Sequence, residues 1–459
     1  MPVPTNVVRF HNALVEGQAG GAEQRLYYHP GVGTEEVFWI ERVLAGTIGA
    51  GLARNVKSAY CWLAANYADG DQIFLLGFSR GAFTVRSVAG LISRQGLPRA
   101  PDWALVDAAY RDARRKLKRA VDEQKFRRPG IHFLGVWDTV GALGIPPEFD
   151  WLPLWFMFLQ PRFHDTELSP IVTNAYHALA IDEMRRTFSP TLWTAKSPSN
   201  REVIQMWFAG VHSDVGGGYR ETGLSDTALD WMIERAASAG AVFHAHMRAQ
   251  IHGDDRGVLH DSRLGVFKSS FVQPRRLPNL FNPEAAGPVG EQVHLSVLNR
   301  IGRPPISQAP YRETFRLEPG ETRTVPVYAR EKWNRTGIFV EPGERYEFSA
   351  AGEWLHWFVR SGPKGPGLLA WLFPSNYFRR YWRAPWLSLA GAVADFVNPG
   401  QSGKIRPLET FAIGAGSLVD LDSAELRRPA GYLYLFANDR EAAHELYRGA
   451  IQVKVKRVA

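Results

Sequence analysis

Short runs of apolar residues punctuate the first 272 positions. They fall at 73–76, 131–136 and 204–209, and each is followed by a turn-rich segment. Runs of that length are too short for helices, and read as strands buried on both faces of a parallel sheet. Helical stretches separate them, over 82–92 and 102–125. This alternation predicts a wound, mostly parallel α/β sheet. From Thr314 the period changes to two, as in 345–350 and 451–455, with Glu-Pro-Gly at Glu318 and again at Glu341. Alternation with Pro-Gly punctuation predicts a β-sandwich. The stretch between, rich in Pro, Asn and Arg, reads as a linker. The expected organisation is an α/β domain over 1–272, a linker over 273–313 and a sandwich over 314–459.

The first apolar run ends in Gly77-Phe78-Ser79-Arg80-Gly81, and the helical stretch begins at Ala82. Strand, Gly-x-Ser-x-Gly, helix is the context of a nucleophile elbow, in which a serine sits on a strained turn. The helix N-terminus adds partial positive charge there, and the backbone N–H of Arg80 is the expected oxyanion donor. A serine nucleophile needs a base, and the base an orienting acid. The second apolar run leads to Asp138 and the third to His212, so three buried strands deliver Ser79, Asp138 and His212 to one sheet edge. Asp214 and Asp182 are alternative acids and His260 an alternative base. His177 reads as a structural histidine on a helix face.

Composition narrows the setting. Hydrophobic residues make up 45% and charged residues 22% of the 459 positions, a globular balance. The formal charge of +8 suits an anionic partner such as lipid head groups. The basic residues form no long run and no nucleic-acid signature, so nucleic acid is not expected as a partner. The single cysteine, Cys61, lies in an apolar helical stretch and reads as a buried small hydrophobe. The N-terminus has no basic region leading into an apolar core, and no apolar run reaches the length of a membrane span. The expectation is synthesis in the cytoplasm, with export by a route that reads no N-terminal signal.

Several segments together resemble the type VI secretion phospholipase effector family. They are Thr5-Asn6-Val7-Val8-Arg9, Tyr28-His29-Pro30-Gly31-Val32-Gly33-Thr34, the 77–92 stretch, and Gly135-Val136-Trp137-Asp138-Thr139-Val140-Gly141. His164-Asp165-Thr166, His177 through Glu183, and Val211-His212-Ser213-Asp214-Val215-Gly216-Gly217-Gly218-Tyr219 complete the set. The resemblance implies an α/β-hydrolase fold, a Ser/Asp/His triad on Ser79, Asp138 and His212, and hydrolysis of phospholipid acyl esters. In some members it implies antibacterial action in a rival's periplasm, a secretion-apparatus partner and an immunity protein. It also implies an early strand ending in a Cys-Asp-Gly-Thr-Trp-like motif. Only four residues precede Thr5, so that strand is expected to be missing, and the second oxyanion donor either to be missing with it or to come from elsewhere, such as the Gly31–Gly33 turn.

The sandwich region resembles galactophilic bacterial lectins at Trp333-Asn334-Arg335-Thr336-Gly337-Ile338, Gly352-Glu353-Trp354 and Gly431 through Asp439. Such lectins hold calcium and sugar with an Asn-Asp pair and later asparagines. Asn438 and Asp439 remain but the later asparagines are replaced, so a retained scaffold without metal or cofactor is expected. Two aromatic clusters suit lipid. Trp155, Phe156 and Phe158 follow the Asp138 loop. Trp371, Trp382 and Trp386 interleave with arginines in an excursion over 362–400.

Overall fold

Among the described residues five strands make the sheet of the first half. In the computed structural model they are β1 (Phe74–Phe78), β2 (Ile131–Trp137), β3 (Val172–Ala180), β4 (Glu202–Phe208) and β5 (Glu291–Val293), paired in that order and all parallel. The described residues are 3–30, 47–115, 122–140, 167–263, 272–280, 289–367, 379–395, 410–420, 430–439 and 447–459. Two of the strands differ from expectation. β3 carries His177, which is therefore on a strand and not on a helix face. Its three alanines blur the strand pattern, and burial on both faces removes the alternation that would have revealed it. The stretch expected as a linker supplies β5, whose three residues are too few to show a period.

Among the described residues the helices of five residues or more are α1 (Asn6–Ala13), α2 (Thr47–Asn66), α3 (Arg80–Gln95), α4 (Trp103–Arg114), α5 (His212–Gly216), α6 (Gly223–Ser238) and α7 (Leu295–Gly302). The side chain of Asp102 accepts hydrogen bonds from Ala104 N and Leu105 N and so caps α4. That helix closes at Arg114, well before the expected 125. Strand alternation sorts the core into two layers. Leu134 and Val136 of β2 pack with Tyr60, Val88 and Leu91 of α2 and α3. Phe133 and Trp137, on the opposite face, pack with Phe10 of α1 and Leu229 and Met232 of α6. Cys61 packs against the first layer but is only half-buried.

The sandwich has two antiparallel sheets. One joins β6 (Thr322–Tyr328), β14 (Tyr447–Arg457), β8 (Arg345–His356) and β9 (Val359–Ser361), with β12 (Gly416–Asp420) also paired to β8. The other joins β7 (Asn334–Val340), β13 (Gly431–Ala437), β10 (Leu389–Asp395) and β11 (Thr410–Ala412). β10 thus occupies part of the expected 362–400 excursion. β13 is buried at every position. Leu433, Leu435 and Ala437 face the sandwich core. Tyr432, Tyr434 and Phe436 face the α/β domain, packing with Leu179, Ile181, Trp207 and Leu277. The second sheet is therefore covered on both sides, and the two halves of the chain share an apolar interface.

Candidate active site

Ser79 stands between β1 and α3 with φ 57° and ψ −118°, a conformation that L-residues rarely adopt. Strain of this kind persists only where its surroundings hold it. Its N–H donates to Trp137 O across the β1–β2 edge at 3.0 Å, and its carbonyl accepts from Phe83 N. The flanking glycines are not equivalent. A Cβ on Gly77 would lie 2.5 Å from the Gly81 backbone carbonyl, whereas a Cβ on Gly81 meets nothing within 4 Å. Gly77 is thus the residue that lets strand and helix approach. Arg80 opens α3, so its N–H is one that the helix cannot use internally.

The three strand ends converge. His212 Nε2 lies 2.8 Å from Ser79 Oγ, and His212 Nδ1 lies 2.6 Å from Asp138 Oδ2. An ionised Asp138 accepts a hydrogen bond from Nδ1–H, which leaves the Nε2 lone pair facing the serine hydroxyl. Burial pulls His212 below the usual imidazole range, and the Asp138 hydrogen bond and charge oppose that shift. The ring lies between Phe78, at 4.5 Å, and Phe188, at 5.0 Å between centroids. Asp138 is fully buried and itself has φ 36°. Burial alone would raise its pKa, but the adjacent Arg275 guanidinium and the His212 hydrogen bond hold it far below the carboxylate range. Such a serine, base and acid can perform nucleophilic acyl transfer.

The sequence pattern did not reveal Arg275. It is buried and donates from Nη1 to Asp138 Oδ1 at 2.6 Å and from Nη2 to Oδ2 at 2.9 Å. The same two nitrogens donate to Ala180 O at 2.5 Å and Phe188 O at 2.6 Å. Ala180 N also donates to Asp138 Oδ1. The acid is therefore held by a fork from the stretch expected as a linker.

The alternative acids and base brace the turn that carries His212. Asp182 accepts from Gly210 N at 2.8 Å, and from Tyr311 Oη and Arg312 Nε. Asp214 accepts from Val211 N at 3.0 Å and pairs at 2.6 Å with His260 Nδ1, so these two partner each other and not Ser79. Burial raises the Asp214 carboxyl. Tyr219 stacks on the His260 ring at 3.8 Å. Glu183 accepts from His212 N, Arg185 and Ser262 Oγ. From the other side, Asn6 Nδ2 donates to Val215 O and Ser225 O, and Arg9 pairs with Asp226. A Cβ on Gly217 would meet Asn6 N at 2.6 Å. The Thr5–Arg9 motif is thus a clamp on α5. His177 accepts from Thr139 N at 3.1 Å, and burial lowers its pKa to about 3. It steadies the Asp138 turn as a neutral ring.

The lipid candidates divide. Trp382 is 71% exposed, with the Arg383 guanidinium over its ring. Trp386 is fully buried and donates to Asp439 Oδ1 at 2.6 Å, so it is a core residue and not a membrane contact. Trp155, Phe156, Phe158, Trp371 and the Gly31–Gly33 turn lie outside the described residues. Asn438 donates to the carbonyls of Tyr381, Ala384 and Pro385. Asn438 and Asp439 therefore hold the 381–386 segment in place. No group of three or more candidate metal-ligating side chains occurs among the described residues.

The parallel α/β sheet thus presents a strained serine between strand and helix, hydrogen-bonded to a strand-end histidine. Residues 2–235 match the family described as T6SS, Phospholipase effector Tle1-like, catalytic domain, and the chain belongs to that family. A protein from Saccharomyces cerevisiae, the uncharacterized protein YEL023C, is 28% identical over 219 residues, covering 41% of this chain. The chain spans 30% of that relative's length. Among solved structures, an uncharacterized protein from Pseudomonas aeruginosa is 20% identical with a TM-score of 0.30, covering 56% of this chain and 46% of its own. The Tle1 effector bound to the VgrG spike is 20% identical with a TM-score of 0.30, over 48% and 41%. The PllA-like lectin that forms the EclA N-terminal domain is 20% identical with a TM-score of 0.20, over 29% and 94%.

Proposed function

We propose that the chain is a serine phospholipase that hydrolyses acyl esters of glycerophospholipids, and that it acts as an antibacterial type VI secretion effector. The observation that carries the reading is the unbroken hydrogen-bonded chain Ser79–His212–Asp138, within a family of phospholipase effectors. His212 Nε2 removes the proton of Ser79 Oγ as the oxygen attacks the acyl carbonyl. Negative charge gathers on the former carbonyl oxygen beside the Arg80 N–H, and one such donor is worth about 10²–10³ in rate. Collapse breaks the ester bond, and His212 passes its proton to the departing lysophospholipid alcohol. Water, deprotonated by the same nitrogen, then attacks the acyl-enzyme and releases the fatty acid. Asp138 stays ionised throughout and holds the Nδ1 proton. Trp382 with Arg383 supports contact with an anionic lipid surface. Family membership supports a secretion-apparatus partner, an immunity protein in the producer and action at a rival's periplasmic membrane face.

The test is fatty-acid release from phospholipid liposomes by the full chain and by Ser79→Ala. Release is expected from the first alone. Activity confined to short soluble esters would replace lipid with another ester, and equal release by Ser79→Ala would remove the serine from the mechanism.

A further inference from the structure

Beside Arg275, whose guanidinium holds Asp138, lies a cavity of about 160 Å³ between the α/β domain and the sandwich. Its lining includes Arg275, Arg312 and Arg335, with Asp182, Trp333 and Tyr434. The carboxylates near it are already committed. Asp138 pairs with Arg275, and Asp182 pairs with Arg312 and accepts from Gly210 N and Tyr311 Oη. Arg335 has no carboxylate at ion-pair distance among the described residues. Its Nη2 reaches only Glu313 O and Thr314 Oγ1, each at 3.4 Å. Each of the three arginines also keeps a buried N–H with no acceptor among the described residues: Arg275 Nε, Arg312 Nη1 and Arg335 Nε.

We propose that this cavity binds a phosphate-type oxyanion, as inorganic phosphate or a small phosphomonoester. Three guanidinium groups here share the carboxylates of Asp138 and Asp182, and a tetrahedral oxyanion would both balance the remaining positive charge and accept from the three N–H groups. Guanidinium groups match phosphate oxygens in geometry as well as charge. The size of the cavity suits a small anion. A cavity of roughly 150 Å³ holds a molecule of benzene size, while sites for larger ligands begin at about 300 Å³. The cavity's lining includes none of Ser79, Asp138 and His212, so the site is distinct from the reacting atoms. Arg275 lies in both sites, so the anion touches the residue that holds Asp138. Burial together with the Arg312 charge lowers Arg335 to about 10, and Tyr434, Tyr432 and Asp182 oppose that shift.

The experiment is a titration of the full chain with sodium phosphate and with glycerol 3-phosphate at fixed ionic strength. The readouts are thermal midpoint and binding heat, neither of which requires catalysis, so failure here is distinct from failure of the phospholipase reading. A saturable rise of a few degrees at millimolar ligand is expected. It should be lost in Arg335→Gln and weakened in Arg335→Lys, and it should persist in Arg360→Gln, whose side chain is 77% exposed. Without ligand, Arg335→Gln is expected to fold at least as stably as the parent, because it removes an unpaired charge. Equal response to both ligands identifies free phosphate as a sufficient occupant, and response to glycerol 3-phosphate alone identifies a lipid-derived head group. No saturable response to either ligand, or a response unchanged in Arg335→Gln, overturns the proposal.

Discussion

Replacing Arg275 by Gln removes the fork on Asp138 and two donors to the Ala180 and Phe188 carbonyls. A buried carboxylate that loses its cation costs about 3–5 kcal/mol. At about 2 °C per kcal/mol, the midpoint of the catalytic domain falls by roughly 6–10 °C. The pH profile changes as well. Arg275 and His212 share Asp138 Oδ2, so the guanidinium weakens the carboxylate's pull on the imidazolium. Without Arg275 the histidine is easier to protonate and its pKa rises. The proposed mechanism requires His212 neutral, so the acid limb of kcat/KM is expected to move to higher pH. The assays are thermal unfolding and a pH series of ester hydrolysis. A midpoint within about 2 °C of the parent, together with an acid limb that stays put or moves down, would refute the role given to Arg275.

Other substitutions separate neighbouring features. Gly77→Ala should destabilise by about 3 kcal/mol and abolish activity, because its Cβ meets rigid backbone, while Gly81→Ala leaves unfolding within about 1 kcal/mol of the parent. Equal loss from both in chemical denaturation would refute that distinction. Asn6→Ala removes two buried hydrogen bonds that tie α5 to α6, so denaturant titration should show a loss of about 2–3 kcal/mol, with a fall in kcat. An unchanged kcat would detach the Thr5–Arg9 motif from the His212 turn. Glu291 is buried, and burial raises its carboxyl to about 7. A raised carboxyl contributes most below its unfolded value of 4.5 and weakens the fold as pH rises through 7. Glu291→Gln should therefore gain midpoint over the parent between pH 5 and pH 8, by up to about 3 kcal/mol. A gap that stays constant across that range would count against the shift.

The candidate site was largely legible in the sequence because its residues sit where strands end. Ser79 is marked by purely local neighbours, and Asp138 and His212 each follow a buried apolar run. What supports them was hidden for a different reason. Arg275 meets Asp138 across 137 positions, from a stretch whose Pro, Asn and Arg residues resemble any loop. β3 escaped notice because its alanines carry no strand signature. Trp386 read as an interfacial ring because its partner, Asp439, comes from a different part of the chain. Local pattern reports a residue's own element, and long-range partners decide whether a ring or a charge faces lipid, core or a reacting atom.

The most direct test of the central claim is whether Ser79 is an activated nucleophile. The full chain is treated with a fluorophosphonate, and the adduct is mapped by peptide mass spectrometry. One adduct on Ser79 is expected, strongly diminished in His212→Asn. A folded, active protein with no adduct on Ser79, or one labelled equally well in His212→Asn, would contradict it.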